Sequence, residues 1–222
     1  MEKDNILYKD QGVHLISSIF TVDKGETKVL LIKRKNEPFK DKWALVGGAL
    51  YNNENLEDGL KREIREKTGI ENIQLHLSGT FGKVDRSPIM RMVAISFIGI
   101  VDFKRIEYLK ETLKTSDARL FKLNEIPILA YDHNEILKKG IETLKEKVVY
   151  TDILKGFFPE GFTIPEIQNV YETILETKYD RRNFRKKILN LDYIEETEDR
   201  INVNGKKPAN VYKFTDKDGQ LL

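Results

Sequence analysis

The stretch from Trp43 to Ile70 constrains this chain more than any other. An extended apolar run, Trp43-Ala44-Leu45-Val46, ends at Gly47-Gly48, and Leu56, Leu60 and Ile64 then recur at four-residue spacing, which is one face of a helix. Asn55 stands at the N-cap position with Asp58 at N3, and Gly69 supplies the stop. Strand, glycine loop and helix therefore follow from local chemistry. On that helix Glu63, Glu66 and position 67 fall at i, i+3 and i+4, so their side chains converge on one region of its surface. Converging carboxylates suit Mg²⁺, a hard ion that takes oxygen ligands and shares them with substrate phosphates. Position 67, however, is lysine.

Two readings of Glu63 and Lys67 stand at this stage. An ammonium beside these carboxylates sets a positive charge where a dication would sit, which makes efficient Mg²⁺ chemistry doubtful. Alternatively the two residues form an ordinary i,i+4 helix pair with the glutamate on the favourable N-terminal side.

At 222 residues and 40% hydrophobic content the chain is large enough for two modest cores. A break at Gly156-Phe157-Phe158-Pro159-Glu160-Gly161 carries the punctuation of a boundary, so residues 1–150 and 151–222 are expected to be separate domains. No apolar run approaches bilayer length, and the start MEKDNILYKD has no signal-peptide core; a soluble, cytoplasmic protein is expected. The absence of cysteine excludes disulfides, thiolate metal sites and cysteine nucleophiles. His14, His76 and His133 are scattered, which argues against a histidine zinc site.

In the first half, apolar runs at Val13–Val22 and Lys28–Ile32, joined by a polar turn, predict a hairpin. Further strands are expected at Ile73–Phe81, Met90–Val101 and Arg119–Leu123. Leu137, Ile141, Leu144 and Val148 then give one face of a helix that links the two halves.

After the break, Thr163 and Glu166 have capping-box spacing, and Ile167, Val170, Tyr171 and Ile174 form the stripe of a helix. Asp180 caps a second one, with Phe184, Ile188 and Leu191 on one side. Asn204-Gly205, between Ile201-Asn202-Val203 and Val211-Tyr212-Lys213-Phe214, predicts a hairpin. Helix, turn, helix, hairpin is winged-helix order. This half is not basic overall, with twelve Lys or Arg against thirteen Asp or Glu, but Arg181–Lys187 holds five bases and no acid. Arg182, Asn183, Lys186 and Asn190 lie roughly opposite Phe184, with Arg185 at the flank, a donor-rich face suited to base edges and phosphates. A solvated, purely stabilising charged face is the alternative.

Gly48, Glu54, Arg62, Glu63, Glu66 and Gly69 resemble the Nudix box, with Lys67 where hydrolases of that family carry a metal-binding glutamate and Val46 where the family usually has proline. Over nearly the whole chain the sequence is similar to the Nudix-related transcriptional regulators, including Phe162-Thr163-Ile164, Asp180–Lys187, the wing residues Lys207-Pro208-Ala209 with Tyr212 and Phe214, and Leu129–His133 as the interdomain segment. The resemblance implies an α+β protein: a Nudix-like α/β/α sandwich with a mixed sheet, followed by a winged helix-turn-helix domain.

It further implies a homodimeric, ligand-responsive repressor of NAD-related or sugar catabolic genes, whose relaxed Nudix domain senses ADP-ribose or a sugar. Its partners would be operator DNA and that effector, with no membrane. Arg182, Asn183, Arg185 and Lys186 would read or position DNA, Lys206 and Lys207 would touch phosphate, and Arg34, Lys35, Trp43 and Arg86 would contact the effector. No cofactor is implied for DNA binding. The rival expectation is a weak Nudix pyrophosphohydrolase of a nucleoside diphosphate derivative such as ADP-ribose, with Glu63 and Glu66 holding Mg²⁺.

Overall fold

A computed structural model describes residues 9–106, 115–150, 153–202 and 208–215. In chain order its elements are β1 (Gly12–Asp23), β2 (Glu26–Arg34), β3 (Trp43–Ala44), β4 (Val46–Ala49), α1 (Leu56–Thr68), β5 (Gln74–Phe81), β6 (Met92–Ile100), α2 (Phe103–Ile106), β7 (Thr115–Lys122), α3 (His133–Tyr150), a 3₁₀ turn (Ile153–Phe157), α4 (Ile164–Leu175), α5 (Arg181–Leu189), β8 (Ile194–Ile201) and β9 (Ala209–Phe214).

Among the described residues, seven strands make one mixed sheet in the order β3-β2-β1-β6-β5, with β4 against β1 and β7 against β2. Only β1 and β6 run parallel; the other pairings are antiparallel. β1 alternates two buried faces, and each face has its own core. Leu15 and Ile19 join Leu60 and Ile64 of α1, whereas Ile16 and Phe20 join Leu137, Leu144 and Val148 of α3. A sheet buried on both sides by helices is the α/β/α sandwich expected.

The position of the acidic helix follows from how β1 divides its partners. Ile19–Asp23 pair with β2, while His14–Ser17 pair with Val46–Ala49 of β4. Gly47 lies flat on the β1 backbone at Leu15 and Ile16, where a side chain would collide. The chain leaves β4 directly into the loop before α1. Gly69 closes α1 with φ of 73°, its N–H donating to Arg65 O at 2.8 Å. At the other end Asn55 differs from expectation: its Nδ2 donates to Asp58 Oδ2 at 3.0 Å, and its side chain does not cap the backbone.

The second domain packs α4, α5 and the β8–β9 hairpin around Ile167, Val170, Tyr171, Ile174, Phe184, Ile188, Leu191, Tyr193 and Tyr212. The capping box is present, with Thr163 N–H and Oγ1 donating to Glu166 Oε2 at 2.7 and 2.8 Å. Phe162 adds a third edge to the wing through paired backbone bonds with Tyr212 of 2.9 and 2.8 Å. The predicted Asn204-Gly205 turn, with Lys206 and Lys207, lies outside the described residues.

The core is continuous across the boundary. Gly156 sits against Ile100, and α3 packs both on the sheet and on α4. The tip of the β1–β2 hairpin also reaches α4, where Thr173 Oγ1 donates to Gly25 O at 2.6 Å. Gly25 has φ of 78°, and a side chain there would strike Asn169.

Candidate functional site

The residues singled out on α1 form one charged cluster. Arg62 is its hub: Nε and Nη2 fork onto Glu54, with the Nη2 contact at 3.0 Å, while Nη1 reaches Glu63 Oε1 at 2.5 Å and Glu66 Oε2 at 3.6 Å. Its plane lies 3.8 Å from the centre of the Tyr51 ring, a cation–π contact. These carboxylates hold the Arg62 pKa above its ordinary value, the Glu54 hydrogen bond contributing most, and Arg62 in turn draws the Glu54 pKa down. Glu63 is buried because its carboxylate rests against Gly48, where any side chain would overlap it.

Lys67 Nζ lies 3.0 Å from Glu63 Oε2 and donates to the carbonyl of Gly47. The i,i+4 pair is therefore real, and it also ties α1 to β4. A carboxylate and a backbone carbonyl are oxygen donors of the kind a hard divalent ion would seek, but an ammonium holds them. Among the described residues, no group of three His, Asp, Glu or Cys is arranged to hold a metal. The cluster as built does not fit Mg²⁺.

Beside it opens a cavity of about 190 Å³ lined by His14, Ala49, Arg86, Ser87, Ile89, Met90, Met92 and Tyr131. His14 pairs with Ala49 across β1 and β4, so the cavity wall is continuous with the glycine loop of the box. Tyr131 is held at φ of 53°, stacks on His133 at 5.4 Å and meets Phe39 at 4.6 Å. Arg86 is fixed by a two-pronged bridge to Asp132, 2.9 and 2.8 Å, with its side chain 1% exposed. His133 Nδ1 accepts the Leu45 N–H at 3.1 Å, which puts the proton of the neutral ring on Nε2. Burial, reinforced by nearby cations, pushes the pKa of His14 down to about 4 and that of His133 well below its usual value.

Of the four effector candidates, Arg86 lines this cavity and Arg34 stands 5.1 Å over the Tyr131 ring, its Nε donating to Pro38 O at 2.9 Å. Trp43 is outside this lining and stands edge-on to Phe121 at 4.8 Å with Arg119 beside it. Lys35 follows β2 outside the lining. The segment Leu129–His133, expected between the domains, instead packs within the first domain: Leu129 bridges Trp43, and Ala130 N–H donates to Trp43 O at 2.8 Å. Its Tyr131, together with His14, lines the cavity, and neither was expected there from the sequence; the signal for Tyr131 was an aromatic pair around an acid after Pro127.

In the second domain Asp180 Oδ1 accepts the Asn183 N–H at 2.9 Å and starts α5. Phe184 and Ile188 are buried, Phe184 edge-on to Tyr171 at 5.4 Å, while Arg181, Arg182, Asn183, Arg185, Lys186 and Lys187 are all exposed. Arg185 Nη2 donates to Tyr212 Oη at 3.3 Å, tying the helix flank to the wing. Lys206 and Lys207 fall outside the described residues.

The NUDIX domain family matches residues 13–144, and the family described as the NrtR DNA-binding winged helix domain matches residues 156–214. The chain is 33% identical, over 90% of its length and 81% of the relative's, to the ADPR responsive transcriptional repressor NtrR of Acinetobacter baylyi. It is 35% identical, over 57% of its length and 73% of the relative's, to the ADP-ribose pyrophosphatase of Methanocaldococcus jannaschii. Shewanella oneidensis NrtR complexed with a 27mer DNA superposes with a TM-score of 0.81 at 26% identity, covering 91% of this chain and 93% of that one. The NUDIX domain of the same protein complexed with ADP ribose gives 0.56 at 25% identity, over 64% and 93%. With both domains matched in this order and a full-length repressor relative, the chain belongs to the NrtR family, a Nudix domain joined to a DNA-binding winged helix.

Proposed function

We propose that this protein is an ADP-ribose-responsive transcriptional repressor that binds operator DNA as a homodimer. The observation that carries the reading is α5: a helix seated by Phe184 and Ile188, whose outward face presents five cations and Asn183, next to a wing. That is what a helix entering the major groove requires. Arg182, Asn183, Arg185 and Lys186 contact DNA, and Lys206 and Lys207 touch phosphate. The NtrR relative, named for its ADPR response, and Shewanella oneidensis NrtR, solved with DNA and, as its NUDIX domain, with ADP ribose, support the effector class over a plain sugar.

The effector binds at the cavity beside the box, whose wall includes the Tyr131 ring and Arg86 held by Asp132. Coupling is reciprocal by linkage: a ligand that lowers operator affinity must itself bind more weakly to the operator complex. Among the connections that join the sensor to the DNA-binding half are α3, packed on both, and the Gly25 tip bonded to Thr173 of α4. The pyrophosphatase relative favours hydrolysis as a second reading, against which stands the Lys67 contact with Glu63.

Fluorescence anisotropy on promoter DNA, with ADP-ribose and then arabinose titrated in, tests the proposal. Release of DNA by ADP-ribose and not by arabinose is expected. A protein that ignores every promoter fragment yet turns over ADP-ribose with Mg²⁺ at about 1 s⁻¹ or faster would be the hydrolase instead.

A further inference from the structure

Two cations close the box from within. Arg62 takes Glu54, one oxygen of Glu63 and the edge of Glu66, and its Nη2 donates to Ala49 O at 3.0 Å. Lys67 takes the other oxygen of Glu63 and the carbonyl of Gly47. Three carboxylates and two cations leave the cluster near −1. A glutamate at 67 would bring it near −3, the charge that draws a dication out of its hydration shell. The Lys67 ammonium is shielded, its side chain 15% exposed and that of Glu63 4%, and it spans helix and strand as a bound ion would.

We infer that the Lys67 ammonium is a tethered substitute for a divalent ion, so that the sensor domain is assembled without metal and takes its diphosphate ligand without metal. The second half rests on the ADP-ribose reading above; the first does not. Gly47 O and the Glu63 carboxylate are oxygen donors of the kind a hard ion takes, and Lys67 makes both of those contacts itself. It does so at a fixed charge of one, which is too little to polarise a phosphoryl oxygen or acidify a water as a dication does. Holding such a ligand and hydrolysing it are thereby separated in a single side chain: the fold of the box is kept while its chemistry is removed.

The first measurement uses metal alone. Mn²⁺ titrated into the full-length protein and followed by electron paramagnetic resonance should reveal no saturable site at millimolar ion, and Mn²⁺ should leave Tm unmoved. Lys67→Glu should acquire one site per chain and a Tm that rises with Mn²⁺. Lys67→Met, which removes the bridge without adding a ligand, should lower Tm with no rescue by Mn²⁺. One tight Mn²⁺ site in the unmodified protein, lost in Glu63→Gln, overturns the inference, and that measurement stands even if neither lysine variant folds. A Lys67→Met variant as stable as the parent overturns it equally.

The ligand arm is read separately by calorimetry. ADP-ribose should bind with the same affinity, within about twofold, in EDTA and in Mg²⁺. Binding that needs Mg²⁺ refutes the metal-free half. No binding in either buffer counts against the effector proposal and leaves the Mn²⁺ result standing.

Discussion

Arg182 and Lys186 are one helical turn apart on the exposed face of α5, so replacing both with alanine removes charge with little disturbance of packing. An exposed substitution of this kind changes stability by about 0.5 kcal/mol or less, and Tm serves as the internal control. A two-fold dimer loses four cations at once. If each neutralises one phosphate, the slope of log affinity against log salt falls by about 3.6, at about 0.9 per contact. Between about 50 and 200 mM salt that slope corresponds to a factor of about 10² in affinity, so parent and variant should diverge most at low salt and converge as salt rises. A base-reading role for Arg182 would instead relax discrimination among operators by about 1–3 kcal/mol with a smaller slope change. Anisotropy over a salt series, on the operator and on a scrambled duplex, separates the two. An unchanged slope and an unchanged operator preference, with Tm intact, would remove this helix face from the DNA interface and refute the reasoning.

The Arg86–Asp132 bridge is buried on the arginine side, so Asp132→Ala strands a guanidinium and should cost about 3–5 kcal/mol in chemical denaturation; adding Arg86→Met should recover much of it, and a single-variant loss under about 1 kcal/mol would contradict the account. His14, with its pKa depressed to about 4, and His133, depressed in the same direction by burial, stay neutral in the fold while the unfolded chain protonates near 6.5. Their contribution is therefore complete above that pH and is lost as pH falls towards 4. Denaturation midpoints measured downward from pH 7 should drop, and less steeply in His14→Gln.

The amino-acid sequence alone determined those features in which each residue's local chemistry agrees with the fold around it. The α1 stripe of Leu60 and Ile64 and its Gly69 stop, the Thr163–Glu166 box, the Asp180 cap and the separation of Phe184 from the α5 cations are all one-turn relationships. A single helix enforces them wherever it docks. The identity of Lys67 was equally visible, because a box with fixed spacing makes a substituted slot conspicuous.

What only the tertiary structure decided are relationships between distant segments. His14, Arg86 and Tyr131 meet because β1 gives half its length to β4 and the Leu129–His133 segment folds back onto Trp43, and no local propensity encodes that return. The neighbours of Trp43 were equally hidden: only the pleat of β3 sets its ring edge-on to Phe121. A strand's side chains choose between two faces by register, and register is set by pairing across the sheet. The ammonium of Lys67 follows the same rule, since the sequence put it one turn from Glu63 and only the docking of α1 on β4 brought it to the carbonyl of Gly47.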